Sequence, residues 1–307
     1  MKNNLSGYMK KVPKIGVLAL DSKLELSSIN NFPYPACIKG TYPNFLKDSI
    51  VIPINMFRSF EEIKDILPKL NGFFFTGGAT NIYYDNPNTR QKQLSEFTML
   101  GFKIIEEIIK INEKGIYYPI AGICLGFQLI CCYFAKNVNI LSFSKYCFNY
   151  CIRNQLEVES NNCKTNGIWN KSELDYFENN DVWHHTHYYT ITTEDFDSCQ
   201  ELVSNCYKFS TSISQSNIFE FVSGIEAKKY PFYAFLFHIE RNQYGYKGFE
   251  RIQNDKSNQI SKKWIDFFID ECRKNNNTFN SEDLKNFPSI STYDIMKVGN
   301  VSLFCLK

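Results

Sequence analysis

The chain is poor in histidine, nearly without charge imbalance, and lacks any long apolar run. Lys and Arg number 34 against 32 Asp and Glu, a net charge of +2, which is too little for the electrostatic footprint of a nucleic-acid or acidic-membrane binder. No apolar stretch approaches the ~20 residues of a membrane span. Residues 1–11 are polar with a few lysines and no apolar segment of the signal type, so a cytoplasmic location is expected if the chain starts there. The 11 cysteines are odd in number and contain no C-x-x-C pair, which excludes a disulfide framework read from spacing. Sequons at Asn4, Asn170, Asn276 and Asn300 are about what so Asn- and Ser-rich a chain produces by chance, and they carry no argument for secretion.

What is present centres on residues 116–134. An apolar run over 116–121 predicts a buried strand, and a second over 125–134 predicts nearly three turns of helix. Between them lies Gly122-Ile123-Cys124-Leu125-Gly126, a nucleophile-elbow pattern with cysteine as the nucleophile. Such an elbow needs almost no side chain two residues before and two after the nucleophile. Glycines fall on both sides of one of these cysteines by accident on the order of 3% of the time. The following helix would point its N-terminus at the sulfur and favour thiolate over thiol.

The rest of the chain alternates strand and helix. Strands are expected at residues 14–20, 50–54 and 72–76. Helices are expected at 59–67, with a Ser59/Glu62 capping box, and at 91–113, ended by Gly115. Residues 21–43, with Pro33, Pro35 and Pro43, read as loop with at most a short helix. Residues 137–217 read as a polar, loop-rich elaboration. Two strands near 219–223 and 232–237, an amphipathic helix over 261–274 and an extended tail complete the pattern. The order predicts an α/β fold: a single domain over 13–307 after an extension of 1–12, with a central, mostly parallel sheet covered by helices on both faces.

A cysteine nucleophile needs a base, a group to orient that base, and donors for an oxyanion. His238 follows the apolar run 232–237 and Glu240 stands two residues on, at the strand end where α/β sheets place ligands. Gly77 and Gly78 follow a buried strand and offer amides that would converge with that of Leu125. His184, His185 and His187 cluster beside Trp183, and His185 and His187 would share a strand face. No third ligand with metal-like spacing accompanies them, so no metal is expected.

These residues resemble a known family. PIAGICLGFQLI is similar to the nucleophile motif of the γ-glutamyl hydrolases, which have a class I glutamine-amidotransferase-like, flavodoxin-like fold, and FFFTGGATNIY is similar to their oxyanion loop. FEFVSGIEAKKYPFYAFLFHIERNQYGY resembles the strand pair carrying their histidine, and KKWIDFFIDECRKNNNTF through GNVSLFCL resembles their last helix and tail. The resemblance implies hydrolysis of γ-glutamyl amide bonds, with folate poly-γ-glutamates as substrate, through a thioacyl-enzyme. It makes Cys124 the nucleophile, His238 the base and Glu240 its orienting partner, with Gly78 and Leu125 at the oxyanion. It sets His185, or alternatively His184, near the substrate and Tyr34 in the pocket wall. It implies no cofactor, a small-molecule γ-glutamyl conjugate as the partner, a homodimer, and a lysosomal, vacuolar or secreted location. Ile239 replaces the family's usual proline, and Leu236-Phe237 replace a common Gln-Trp pair. Two rival readings remain: an ammonia-supplying amidotransferase domain, and a non-catalytic paralogue with a structural or assembly role.

Overall fold

The computed structural model describes residues 11–27, 29, 32–85, 91–144, 148–152, 154–156, 163–214, 218–245 and 253–307. Eleven strands form its main sheet, numbered in chain order: β1 (Lys14–Asp21), β2 (Ala36–Lys39), β3 (Ile50–Asn55), β4 (Gly72–Phe75), β5 (Ile120–Ile123), β6 (Asn154–Leu156), β7 (Cys206–Ile213), β8 (Glu220–Ala227), β9 (Phe232–Phe235), β10 (Asp294–Val298) and β11 (Val301–Leu306). β3, β1, β4, β5 and β9 run parallel through the centre. Antiparallel β8, β7 and β6 extend the β9 side, while β2, β11 and β10 extend from the end of β1.

The central strands are apolar along their length because helices cover both faces. In β1, Leu18 and Leu20 join the core that holds Ile104, Ile105 and Ile108 of helix Glu96–Glu113. Ile15, Val17 and Ala19 point the other way, into a core with Trp264, Phe268 and Ile269 of helix Asp255–Arg273. Helix Leu125–Ala135 is buried on nearly all sides, as its uninterrupted apolar sequence requires.

Local signals behave as the sequence predicts where they are self-contained. The Ser59/Glu62 capping box forms at the start of helix Phe60–Ile66, which continues past the expected end as a 3₁₀ turn, Leu67–Lys69. Gly115 adopts φ 83° just beyond helix Glu96–Glu113. That helix starts later than expected, at a Ser95 cap, because Lys92–Leu94 pairs with Tyr83–Asp85 instead. The expected loop 21–43 contains β2 and helix Thr41–Phe45. Pro43 fits there because it lies in the first turn, where a backbone N–H has no helical partner to lose. The 137–217 segment supplies β6 and β7, and also the strand Trp183–Thr186 paired with Phe148–Ile152. The tail folds back as the β10–β11 hairpin and docks on β2.

One consequence positions chemistry. The carboxyl ends of β1, β4, β5 and β9 deliver Ser22–Glu25, Gly77-Gly78, Cys124 and His238–Glu240 to the same edge of the sheet.

Candidate active site

Cys124 sits between β5 and helix Leu125–Ala135 with φ 53° and ψ −101°. A side chain at positive φ stores on the order of 1–3 kcal/mol of strain and persists only where neighbours over-determine it. Here they do: its N–H donates to the Phe235 carbonyl at 2.7 Å, and its carbonyl accepts from Gln128 N–H at 3.0 Å. The flanking glycines are sterically required. A Cβ on Gly122 would lie 2.8 Å from the Gly126 carbonyl oxygen, and one on Gly126 would enter the Phe75 backbone. The thiol faces the Thr186 carbonyl at 3.8 Å, and the Leu125 N–H hydrogen-bonds the sulfur.

His238 follows β9, held by its N–H donating to the His184 carbonyl at 2.9 Å. Its Nδ1 and Glu240 Oε1 are 2.7 Å apart, both side chains being buried. With Nδ1 committed to the carboxylate, Nε2 is the nitrogen left to exchange a proton. The meeting of ring and sulfur is read at Gly77. A Cβ there would lie 2.8 Å from His238 Cε1, 3.0 Å from Cys124 Cβ and 2.7 Å from the Tyr42 hydroxyl. Three segments distant in sequence therefore converge on one point, and only glycine leaves room for them.

Burial governs the electrostatics. It pushes the Cys124 thiol up to about 12, against the opposing pull of Arg241, Lys39 and the Leu125 N–H. It also carries His238 well below the usual histidine range, with Arg241 and Lys39 acting in the same direction. Glu240 is raised to about 7 by burial, offset in part by Arg241. The helix N-terminus acts in the expected direction through the Leu125 N–H, but desolvation is the larger cause and raises the thiol.

The other expected site residues divide. Leu125 directly follows Cys124, and Gly78 ends the β4 loop at the same sheet edge, where a side chain would collide with Leu20 and come within 2.5 Å of the Glu25 carboxylate. Gly77 borders the site, but its N–H donates to the Tyr42 hydroxyl at 2.8 Å and is not a free oxyanion donor. His185 does not face the reaction centre: its Nδ1 meets His187 Nε2 at 2.8 Å, and its ring packs on Phe221 and Phe237. His184, on the opposite face of the same strand, lies beside His238, the two rings 6.3 Å apart. Tyr34 lies away from the centre, half-buried against Phe32 and donating to Asp294 at 3.0 Å, because β2 turns it toward the C-terminal hairpin.

Residues not anticipated complete the shell. Tyr42 reaches Gly77 from helix Thr41–Phe45, in a stretch whose prolines disguise its structure. Thr186 Oγ1 accepts from Arg241 Nη1 at 2.9 Å and also bonds His184 Nε2. Adjacency to Glu240 is the one sequence signal that could have found Arg241. Lys39 pairs with Glu25 at 2.7 Å, and its charge reaches both Cys124 and His238. Among the described residues no group of three His, Cys, Asp or Glu side chains is placed to hold a metal, and no helix is long and apolar enough to cross a membrane.

The chain is similar to several known proteins. Residues 54–246 match the model of the glutamine amidotransferase class-I family, a span that includes Gly77, Cys124, His238 and Glu240. Gamma-glutamyl hydrolase B of Dictyostelium discoideum is 26% identical over 87% of this chain and 80% of its own length. Gamma-glutamyl hydrolase of Homo sapiens is 21% identical over 97% and 89%, and gamma-glutamyl hydrolase 1 of Arabidopsis thaliana 23% over 86% and 73%. A solved structure from Thermoplasma acidophilum, provisionally described as one component of a GMP synthase, aligns with 85% of this chain and 94% of its own at 18% identity and a TM-score of 0.47. With the family model covering well over half of its residues, the chain belongs to the glutamine amidotransferase class-I family.

Proposed function

We propose that the protein hydrolyses γ-glutamyl amide bonds with Cys124 as nucleophile. The observation that carries this reading is the convergence of Cys124, the His238–Glu240 pair and Gly77 on one point at the carboxyl edge of the sheet. Relatives named gamma-glutamyl hydrolase, aligned over most of their length, support the bond type.

Because the thiol is neutral at rest, the proton leaves Cys124 for His238 Nε2 as the sulfur attacks the γ-carbonyl carbon. The Leu125 and Gly78 amides receive the developing oxyanion; one such donor is typically worth roughly 10²–10³ in rate. Glu240, accepting the His238 Nδ1–H, stabilises the imidazolium formed at that moment. The imidazolium then protonates the departing amine, the C–N bond breaks, and a thioester joins Cys124 to the γ-glutamyl group. Water, deprotonated by the same Nε2, attacks the thioester, restoring the thiol and releasing a free γ-carboxylate. The residues complete this sequence without an added group. Folate poly-γ-glutamates, the substrate implied by the sequence resemblance, present this bond in a small-molecule conjugate.

The test is Cys124→Ala assayed by release of glutamate from a γ-linked oligomer, with free glutamine as a control substrate. Turnover falls to background while the melting temperature holds or rises. Residual glutamate release by a folded variant would remove Cys124 from the mechanism, and preference for free glutamine would favour the amidotransferase reading.

A further inference from the structure

Two cations influence the Cys124 sulfur, and they are held very differently. Arg241 is buried, donates to Thr186 Oγ1 at 2.9 Å, and lies 4.0 Å from Glu240. It is fixed into the framework that orients the histidine. Lys39 ends β2, and its side chain retains 29% exposure on a flexible stem. Its Nζ is 2.7 Å from Glu25 Oε2, and the Glu25 side chain is fully buried. The other oxygen of that carboxylate accepts from the Ala79 N–H, directly after the Gly77-Gly78 turn. Glu25 therefore clamps Lys39 to the loop that borders the sulfur.

The placement matches a particular piece of substrate. When a γ-carbonyl carbon sits at the sulfur, only two methylenes separate it from the α-carbon, so the α-carboxylate lies about 5 Å away. That anion needs a cation near the nucleophile, reachable from solvent and able to shift by a bond rotation. Lys39 meets each of these conditions and Arg241 does not.

We infer that Lys39 binds the α-carboxylate of the γ-glutamyl unit being cleaved, with Glu25 as the positioning residue that holds the ammonium over Gly78. This rests on the γ-glutamyl hydrolase reading and adds to it the group that distinguishes a γ-glutamyl donor from a simple amide. A carboxylate joining the pair replaces water on the ammonium and leaves the Glu25 contact to Ala79 intact. The lysine thus acts in recognition and takes no part in proton transfer.

The experiment compares two γ-glutamyl anilides, one with a free α-carboxylate and one with an α-carboxamide, in the wild-type protein, Lys39→Met and Lys39→Arg. Loss of a charge-assisted hydrogen bond at a partly exposed site predicts that the kcat/KM preference for the carboxylate falls about tenfold in Lys39→Met, mainly through KM. Lys39→Arg recovers much of the preference. An unchanged preference in an active Lys39→Met enzyme overturns the inference and leaves the hydrolase reading standing. A wild-type protein that cleaves neither anilide, and whose Cys124 is not alkylated by a γ-glutamyl chloromethyl ketone, overturns the hydrolase reading and this inference together. A kcat that collapses equally on both anilides, with KM unchanged, would instead assign Lys39 to the chemical step and also overturn it.

Discussion

A buried histidine–carboxylate pair and a buried histidine–histidine pair lie close together in this protein, and their surroundings set them apart. His238 has a carboxylate at 2.7 Å, and its Cε1 borders Gly77 as the Cys124 Cβ does. His185 and His187 have each other at 2.8 Å, with the Phe221 ring against both. Desolvation lowers the proton affinity of all three rings. The lesson is that burial alone makes an inert neutral imidazole. In the proposed mechanism, what makes one of them a base is an anion beside it to balance the positive charge at the moment of transfer, and a nucleophile to supply the proton.

The strongest way to break this contrast is Glu240→Gln. The amide still reaches His238 Nδ1 but cannot balance an imidazolium, so kcat/KM falls by roughly 10²–10⁴. The wild-type pH profile sharpens the point. With Glu240 raised to about 7, kcat/KM rises as pH increases through that value and the carboxylate ionises. In Glu240→Gln this rise is lost. A wild-type profile flat between pH 5 and 8 would show that the Glu240 charge is not what separates the two pairs.

How much of this was legible follows from the range of each signal. The elbow could be read because the requirement for Gly122 and Gly126 around Cys124 is local, and the His238–Glu240 contact because the two stand in one short turn. Tyr42 and Lys39 were hidden. They reach the site only because β2 pairs with the last two residues of β1, Leu20 with Cys37 and Asp21 with Ala36, a long-range pairing that Pro33 and Pro35 disguise. The choice between His184 and His185 was a question of strand parity. A pattern with period two says that neighbours face opposite ways but not which face meets the sheet edge. The net shift of the Cys124 thiol was hidden for a quantitative reason: the helix N-terminus was visible in sequence, whereas the depth of burial opposing it was not.

The inert pair makes its own prediction, in stability. His187 is lowered to about 3 in the folded chain against 6.5 for a free side chain. Between those values the unfolded chain binds the extra proton, so stability is lost as pH falls from about 6.5 toward 3, by up to about 1.4 kcal/mol per pH unit. Glu240 has the opposite sign: its folded value lies above the ordinary 4.5, and its contribution weakens as pH rises from there to about 7. His187→Gln keeps a partner for His185 Nδ1 and cannot titrate. Urea denaturation from pH 4 to 7 then shows a shallower acid limb, with kcat within about threefold of wild type. An unchanged limb would mean that His187 is not held neutral by its burial.

The smallest effect is expected where the two environments touch, at Thr186. Its carbonyl faces the Cys124 thiol, while its hydroxyl joins Arg241 to His184 one residue from the inert pair. Thr186→Val removes the hydroxyl and keeps the carbonyl and the shape. Arg241 and His184 each lose one polar contact, worth on the order of 1 kcal/mol, so kcat/KM falls about three- to tenfold and Thr186→Ser restores it. A loss of a thousandfold would place the hydroxyl in the proton transfer itself. No loss at all would mean that Arg241 and His184 hold their positions without it, and that the carboxylate alone separates the reactive ring from the silent ones.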